Sequence, residues 1–206
     1  MSLENTFKGK KILITGNTGF KGSWLTIWLI SLGAKVYGLA LEPPTNPSIF
    51  KESNLDKKIQ HHYVNIQDFS KVSELIKQIK PNFIFHLAAQ SLVKYSYENP
   101  IETWGTNVSG TINILESLRK IESKCTAIFI TSDKCYANSE WYWGYRENDR
   151  LGGSDPYSAS KGAAEIAIKS FKDSFFNNGK VLLASTRAGN VIGGGDWAKD
   201  RIVPDC

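Results

Sequence analysis

A glycine-rich turn between an apolar strand and an apolar helix constrains the fold of this chain more than any other feature. Residues Lys11–Thr15 are mostly apolar and partly β-branched, which predicts a buried strand. Gly16, Gly19 and Gly22 follow at once, and the largely apolar run 24–30 comes next. The order of strand, glycine turn and helix is the context in which such a triplet indicates a dinucleotide site.

Each glycine of the turn has its own expected task. Gly16 allows the tight turn, Gly19 lets the backbone approach a pyrophosphate, and Gly22 lets the helix pack close to the strand. The first turn of the helix then offers unpaired N–H groups to the phosphates. We therefore predict that the cofactor contacts Gly16, Asn17, Thr18, Gly19, Phe20 and Gly22.

The end of the second predicted strand bears on the choice between NAD and NADP. Residues 35–41 predict this strand, and its end should meet the adenosine ribose. Glu42 is the nearest acidic residue and no arginine stands there, which favours NAD. Lys21 in the glycine turn argues in the other direction, so this pattern alone leaves the choice open.

Strand and helix patterns alternate along the rest of the chain. Strands are predicted at 83–87, 127–131 and 181–185, and helices at 68–80, 99–119 and 157–176. This alternation predicts an α/β fold, a doubly wound, Rossmann-like parallel sheet with helices on both faces. Ligands of such sheets bind outside the carboxyl ends of the strands.

Composition narrows the classes of partner. The formal net charge is +5, with 25 basic and 20 acidic residues interleaved along the chain, so we expect no nucleic-acid binding. A modest positive balance suits a doubly phosphorylated substrate and cofactor. We expect no membrane span and no signal peptide. Three cysteines without metal or disulfide spacing indicate a cytoplasmic protein.

The histidines do not form a recognisable metal site. His61 and His62 are adjacent, so their side chains should point in different directions, and we interpret them as surface residues before a strand. His86 ends an apolar strand and is interpreted as structural. We therefore predict no metal.

Tyr157 and Lys161 predict a proton-transfer site. Residues four apart lie on one face of a helix, and a nearby ammonium lowers the pKa of a phenol. A shift of roughly three units is worth ~4 kcal/mol and would make Tyr157 a general base near neutral pH. Ser132 and Asp133 follow a predicted strand. Each could be a local cap, but together with the Tyr157–Lys161 pair they favour a catalytic site.

The combined motifs resemble a known superfamily. The glycine turn, Ala88-Ala89, Ser132 and Tyr157-x-x-x-Lys161 are similar to the extended short-chain dehydrogenases/reductases. Three longer strings, TSDKCY at 131–136, EWYWGYR at 140–146 and RAGNVIGGGDW at 187–197, resemble the CDP-glucose 4,6-dehydratase family within it. The resemblance covers nearly the whole chain.

The resemblance implies a cofactor, a substrate and the residues that hold them. The cofactor would be NAD and the substrate CDP-glucose, which the family converts to CDP-4-keto-6-deoxyglucose. Besides the glycine turn, Leu87, Ala88, Ala89, Tyr157 and Lys161 would hold the cofactor. Ser132, Asn190 and Arg201 would contact the substrate. A homodimer or higher homo-oligomer, paired through helices 99–119 and 157–176, is usual in the superfamily.

The resemblance also implies a catalytic role for each residue. Tyr157 would remove the C4 hydroxyl proton, Lys161 would lower its pKa, and Asp133 would protonate the departing C6 oxygen. Lys134 departs from the commoner nucleotide-sugar dehydratases, which place a glutamate there as the C5 base. We favour Lys134 as that base. The alternatives are that it pairs with Asp133 or stabilises the enolate while another base acts.

The chain should divide into two parts of unequal length. Residues 1–190 are expected to form the NAD-binding domain, and 191–206 the start of a truncated substrate-binding region. Two alternatives stay open: a nucleotide-sugar epimerase, which needs Tyr157 and Lys161 but no acid–base pair for elimination, and a non-catalytic NAD-binding module.

Overall fold

The computed structural model describes residues 3–177, 179–201 and 205–206. A six-stranded sheet in the order β3-β2-β1-β4-β5-β6 forms its centre, and all neighbouring strands are parallel. The strands are β1 Lys11–Thr15, β2 Lys35–Ala40, β3 Gln60–Tyr63, β4 Phe83–His86, β5 Cys125–Ile130 and β6 Val181–Thr186. The predicted doubly wound α/β fold is confirmed.

Eight helices accompany the strands in the described part of the chain. They are α1 Leu3–Phe7, α2 Phe20–Ser31, α3 Ile49–Glu52, α4 Phe69–Ile79, α5 Val93–Glu98, α6 Pro100–Trp104, α7 Gly110–Arg119 and α8 Pro156–Phe175. Local chemistry starts the longer ones. The Asp68 carboxylate caps α4 by accepting from Lys71 N, and Asp155 caps α8 by accepting from Ser158 N, which satisfies backbone donors that have no helical partner.

Two apolar layers hold the sheet. On one face, α1 and α2 bury Phe7 and Leu29 against Ile12 and Ile14 of β1. On the other face, α4, α7 and α8 cover Leu13 of β1, Ile84 of β4 and Phe129 of β5. Successive residues of β1 thus enter different layers, as the alternation of side chains along a strand requires.

A wide turn interrupts the helix predicted at 99–119. The segment Gly105–Ser109 is π-helical between α6 and α7, and its buried Asn107 has three side-chain hydrogen bonds. Asn107 Nδ2 donates to Gln90 O and Ser160 Oγ, and Asn107 Oδ1 accepts from Gln90 N. Such π segments are frequent at functional sites, and this one ties the loop after β4 to α8.

The interpretation of His61 and His62 as surface residues before a strand is wrong. Both lie within β3 and are half-buried. The His61 ring contacts Tyr63 edge-on, with centroids 4.3 Å apart, and also lies near Phe50 of α3. Burial of the ring, together with the charge of neighbouring His62, lowers the pKa of His61 to about 4.

One face of β6 is open to solvent. Val181 and Leu183 point into the core, whereas Leu182, Ala184 and Thr186 point to the opposite face and are exposed. No element of the described residues covers this part of the sheet as α2 covers β1. Within the same described ranges, no helix is long and apolar enough to cross a membrane.

Candidate active site

The glycine turn connects β1 to α2 at the carboxyl edge of the sheet, between β1 and β4. Gly16 has φ +72°, and a Cβ there would lie 2.7 Å from Ala88 N. A Cβ on Gly22 would collide with the Gly16 carbonyl oxygen. Both positions therefore need glycine, for the left-handed turn and for close helix–turn packing. Strand order reverses here, which is where doubly wound sheets bind ligands.

The first turn of α2 leaves room for an anion. Gly19 is the N-cap and makes no side-chain cap hydrogen bond, so the amides of the first helical turn have no cap acceptor. A Cβ on Gly19 would meet only the Gly16 carbonyl, at 3.5 Å, so the outer side of the turn is open. These residues fit the pyrophosphate of a dinucleotide, which needs free N–H groups and close backbone approach.

Asn17 and Thr18 stabilise the glycine turn through side-chain contacts with β2, β3 and the residue that follows β2. The Asn17 side chain is completely buried, packs against Gly38 and places Nδ2 3.1 Å from His61 Nδ1. The Thr18 hydroxyl donates to Leu41 O at 3.0 Å. Any contact of these two residues with a dinucleotide on the outer side would therefore come from their backbone. Sequence reasoning missed the Asn17–His61 contact because it depends on the pairing of β2 with β3.

The chain after β4 lies directly against the glycine turn. Leu87 N donates to Thr15 O, and Ala88 N donates to the Thr15 hydroxyl, both at 3.1 Å. Leu87, Ala88 and Ala89 are half-buried. The strand ends of β1 and β4 thus share one groove, as the prediction of a joint cofactor site requires.

Ser132 and Asp133 form a short turn after β5. Asp133–Cys135 is a 3-10 turn, and the Ser132 hydroxyl accepts from Lys134 N at 3.3 Å and donates to Asp133 Oδ1 at 2.9 Å. Asp133 N donates to Ala188 O at 3.1 Å, just after β6. An open cavity of about 500 Å³ adjoins this turn. It is lined by Asp133, Tyr136, Tyr145, Glu147, Ser185 and Arg187.

The predicted catalytic set meets at the start of α8. Tyr157 and Lys161 are both buried, and the Ser132 side chain lies close enough to the Tyr157 phenol to influence its pKa. Lys161 Nζ lies 5.9 Å from the centroid of the Tyr157 ring. The structure thus brings together the serine, tyrosine and lysine beside the carboxyl ends of β4 and β5.

The expected lowering of the Tyr157 pKa by Lys161 is wrong for the protein alone. Burial is the largest influence and raises the pKa of Tyr157 above its ordinary value of 10.0. The neighbouring Ser132 side chain and the charge of Arg201 act in the opposite direction but do not outweigh burial. A buried phenol disfavours its charged form, so another positive group must reach the site before Tyr157 can act near neutral pH.

Positive charge is concentrated at this site. Burial lowers the pKa of Lys161 to about 8, and the charge of Lys21 lowers it further, while Glu165 opposes the shift. Burial and the charge of Arg201 also lower the pKa of Lys21. Arg201 donates to Ser91 Oγ at 2.8 Å, and its Nε is buried without a hydrogen-bond partner among the described residues. The site is therefore suited to an anionic ligand.

Two predicted site residues stand apart from this cluster. The Lys134 side chain is exposed. Within the described ranges, Lys134 forms no ion pair with Asp133. Asn190 is also exposed, just beyond β6. Across the part of the chain that the structure describes, no group of three or more His, Cys, Asp or Glu side chains could hold a metal ion.

A buried ion pair near the catalytic set was not foreseen. Glu165 Oε2 lies 2.9 Å from Arg187 NH2, and the Glu165 side chain is only 4% exposed. Glu165 follows Lys161 by four residues, so helical spacing alone could have placed it on the same face of α8. Its partner Arg187 could be found only from the pairing of β6 with β5.

Comparisons with known proteins agree with this fold. The model of the family described as GDP-mannose 4,6 dehydratase matches residues 13–184. A CDP-glucose 4,6-dehydratase of Salmonella typhimurium is 53% identical over 98% of this chain, which covers 58% of that protein. A CDP-paratose 2-epimerase of Salmonella typhi is 30% identical, over 87% of this chain and 58% of that protein.

Solved structures show the same architecture. The chain superposes on the UDP-glucose 4-epimerase of Thermus thermophilus, crystallised in complex with NAD, with a TM-score of 0.80 and 26% identity. This match covers 92% of the chain and 58% of the epimerase. The chain thus spans about three-fifths of the length of the relatives it matches. Because the family model matches most of its residues, this chain belongs to the GDP-mannose 4,6 dehydratase family.

Proposed function

We propose that this chain is the cofactor-binding, catalytic part of an NAD-dependent CDP-glucose 4,6-dehydratase, a lyase. The observation that carries the proposal is the proximity of Ser132 to buried Tyr157, one helical turn before Lys161, beside an open glycine turn. The 53% identity to the Salmonella typhimurium dehydratase supports CDP-glucose as substrate.

The cofactor would lie along the carboxyl edge of the sheet. The N-terminus of α2 and the Gly16–Gly22 turn would receive its pyrophosphate, and the segment 87–89 would line the groove. Lys161 would hydrogen-bond the nicotinamide ribose. When bound, NAD would take a hydride from C4 of the sugar and return it to C6, so it would not be consumed.

Tyr157 would be the general base for the C4 hydroxyl. Its pKa is raised by burial even with Lys161 and Arg201 nearby, so it would need the additional positive charge of the bound cofactor. Ser132 would hydrogen-bond the same sugar hydroxyl and so orient it toward the phenol. Asp133, exposed beside the open cavity, would protonate the departing C6 oxygen.

Lys134 stays our preferred C5 base, although its side chain is exposed in this structure. A substrate seated over Asp133 would have to cover Lys134 as well, because a buried amine favours its neutral, basic form. Arg201, whose Nε has no hydrogen-bond partner among the residues that the structure describes, would contact a phosphate, and Asn190 would contact the sugar.

The substrate-binding part would be completed by residues beyond this chain. The exposed face of β6, including Leu182 at 57% exposure, supports a further covering element there. We therefore keep the proposal that 1–190 form the cofactor domain and 191–206 begin the substrate region.

A homodimer is proposed through the face that α6 to α8 present. Ile101, Trp104, Ile112 and Ile166 are exposed on these helices, with Ile101 88% exposed. Exposed apolar side chains on neighbouring helices are suited to burial against a second copy.

A cytoplasmic location also stays a prediction.

The test is proton NMR of the complete gene product with CDP-glucose and NAD+ in D2O. A new C6 methyl signal with deuterium at C5 is the expected result. A C4 epimer would instead assign an epimerase, the second candidate that the similarity to UDP-glucose 4-epimerase favours. No sugar product despite saturable NAD binding would contradict both and leave a binding module.

A further inference from the structure

Glu165 lies at the centre of a buried hydrogen-bond network that the proposed mechanism does not use. It is on α8, one turn after Lys161, and is 4% exposed. Glu165 Oε1 accepts from the Thr131 hydroxyl at 2.5 Å, and Oε2 accepts from the Ser185 hydroxyl at 3.0 Å and from Arg187 NH2 at 2.9 Å. One carboxylate therefore joins α8 to the ends of β5 and β6.

Arg187 is held on several sides. Its NH1 donates to the Tyr136 hydroxyl at 2.8 Å and to Glu147 O at 2.9 Å, and its guanidinium lies over the Tyr136 ring at 4.8 Å. Burial opposes the charge, but hydrogen bonds to Glu165 and Tyr136 raise the pKa of Arg187 above its ordinary value. The guanidinium therefore stays charged and keeps Glu165 in place.

Glu165 follows Lys161 by one helical turn on α8, and both side chains are buried, so this carboxylate places a negative charge on the helix face that carries Lys161. Burial and Lys21 lower the pKa of Lys161, while Glu165 and then Cys135 raise it. Arg187 is not among the groups that shift Lys161. The titratable groups that face Lys161 from the elements around it are Lys21 of α2, His86 of β4, Cys135 of the 3-10 turn, and Tyr157 and Glu165 of α8.

We propose that Glu165 is a positioning residue for catalysis, which anchors α8 to the ends of β5 and β6 and places a negative charge on the helix face that carries Lys161. The anchor sets the distance between Tyr157 and Ser132, which come from different elements. The charge offsets the cost of burying an ammonium beside Lys21. The catalytic part of this inference rests on the proposed function, but the electrostatic part does not.

The two parts can be separated with three variants. Glu165→Gln removes the charge and keeps the shape of the side chain, but leaves the partly buried Arg187 without a counter-charge, which destabilises a fold. The double variant Glu165→Gln/Arg187→Gln removes that unpaired charge, so folding is protected. Arg187→Gln alone keeps the Glu165 charge. Asp173→Asn, an exposed ion-pair partner of Lys169 on the same helix, is the matched control.

The primary measurement needs no substrate. The ε-carbons of the lysines are labelled with ¹³C, and the Lys161 signal is assigned by its absence in Lys161→Gln. Titration of the present chain should give a midpoint near 8. We expect the midpoint to fall by roughly one unit in Glu165→Gln and in the double variant, and not to fall in Arg187→Gln or Asp173→Asn.

An unchanged Lys161 midpoint in the folded double variant would overturn the electrostatic role. Equal falls in the double variant and in Arg187→Gln would overturn it too, because the shift would then follow from loosened packing. This outcome is independent of turnover, so it is distinguishable from a failure of the proposed dehydratase activity.

The catalytic part is read from the pH profile of the complete gene product. If protonated Lys161 is required, the alkaline limb of kcat should move to lower pH in the double variant, while the limb in Asp173→Asn stays. A uniform loss of kcat at every pH, with no movement of the limb, would show that Glu165 acts on structure alone and would contradict the proposal.

Discussion

The Thr15 hydroxyl and His86 Nδ1 lie 2.7 Å apart in the buried seam between β1 and β4. On the other side of the ring, Nε2 lies 3.1 Å from the Thr111 hydroxyl, which itself donates to Asn107 O. Thr111 must therefore accept from Nε2–H, and Nδ1 must accept from Thr15. The Thr15 oxygen in turn accepts from Ala88 N. Every partner is satisfied only when His86 is neutral.

This arrangement predicts that acid destabilises the protein through His86. Burial, with a smaller contribution from the charge of Lys161, lowers the pKa of His86 to about 3, against ~6.5 in an unfolded chain. Between these values the unfolded state binds more protons, so stability present above pH ~6.5 is lost as the pH falls toward 3. The expected loss is a few kcal/mol, at about 1.36 kcal/mol per pKa unit.

Urea unfolding at pH 7 and pH 4 measures this dependence. His86→Gln should make the free energy of unfolding less sensitive to pH. His61, with a pKa of about 4, makes a smaller contribution to the pH dependence, and this contribution is the same in both proteins. The same pH dependence in His86→Gln as in the parent would contradict this assignment.

Gly19 and Gly22 should respond differently to alanine. Gly22→Ala forces a collision with the Gly16 carbonyl, so we expect a loss of roughly 1–3 kcal/mol of stability together with a loss of NAD binding. Gly19→Ala meets only an ordinary contact, so stability should hold while the added methyl group weakens NAD binding about tenfold or more.

Thermal unfolding and calorimetric titration with NAD+ give the two readouts. Gly144→Ala, where nothing lies within 4 Å, is the control and should change neither. Unchanged NAD affinity in Gly19→Ala would refute placement of the pyrophosphate on the outer side of the turn.

The Tyr157 phenol should titrate above 10 in the free protein, because burial raises its pKa. Binding of NAD+ adds a positively charged ring to the site and should lower this value. The difference in ultraviolet absorbance between the parent and Tyr157→Phe isolates this phenol from the other seven tyrosines. In the complete gene product, Tyr157→Phe should reduce kcat by about 10²–10⁴. A phenol pKa that does not move on NAD+ binding would argue against its role as the base.

Lys134→Ala tests which residue removes the C5 proton. If Lys134 is the base, the variant should still form NADH from CDP-glucose but should lose exchange of deuterium into C5. Lys172→Ala, an exposed lysine on α8, should retain both steps. Full C5 exchange in Lys134→Ala would contradict the assignment and would mean that another base near Asp133 removes the C5 proton.

The local patterns of this chain were sufficient to predict its architecture. Strand β1, the glycine triplet and the start of α2 are consecutive in sequence, so spacing and residue type alone determined their order and their close packing. The same holds for Tyr157 and Lys161, whose positions on α8 follow from helical periodicity. Asp68 and Asp155 likewise mark helix starts that the structure contains.

Contacts between distant segments were decided only by the tertiary structure. The partnership of Glu165 with Arg187, and that of Asn17 with His61, depends on which strands lie side by side. The raised pKa of Tyr157 and the solvent exposure of Lys134 both follow from how the folded chain packs around these side chains. The sequence by itself determined the fold and the catalytic candidates, because both are written in short-range periodicity. Charge balance at the site was settled by tertiary packing, because burial and long-range pairing set electrostatic energies.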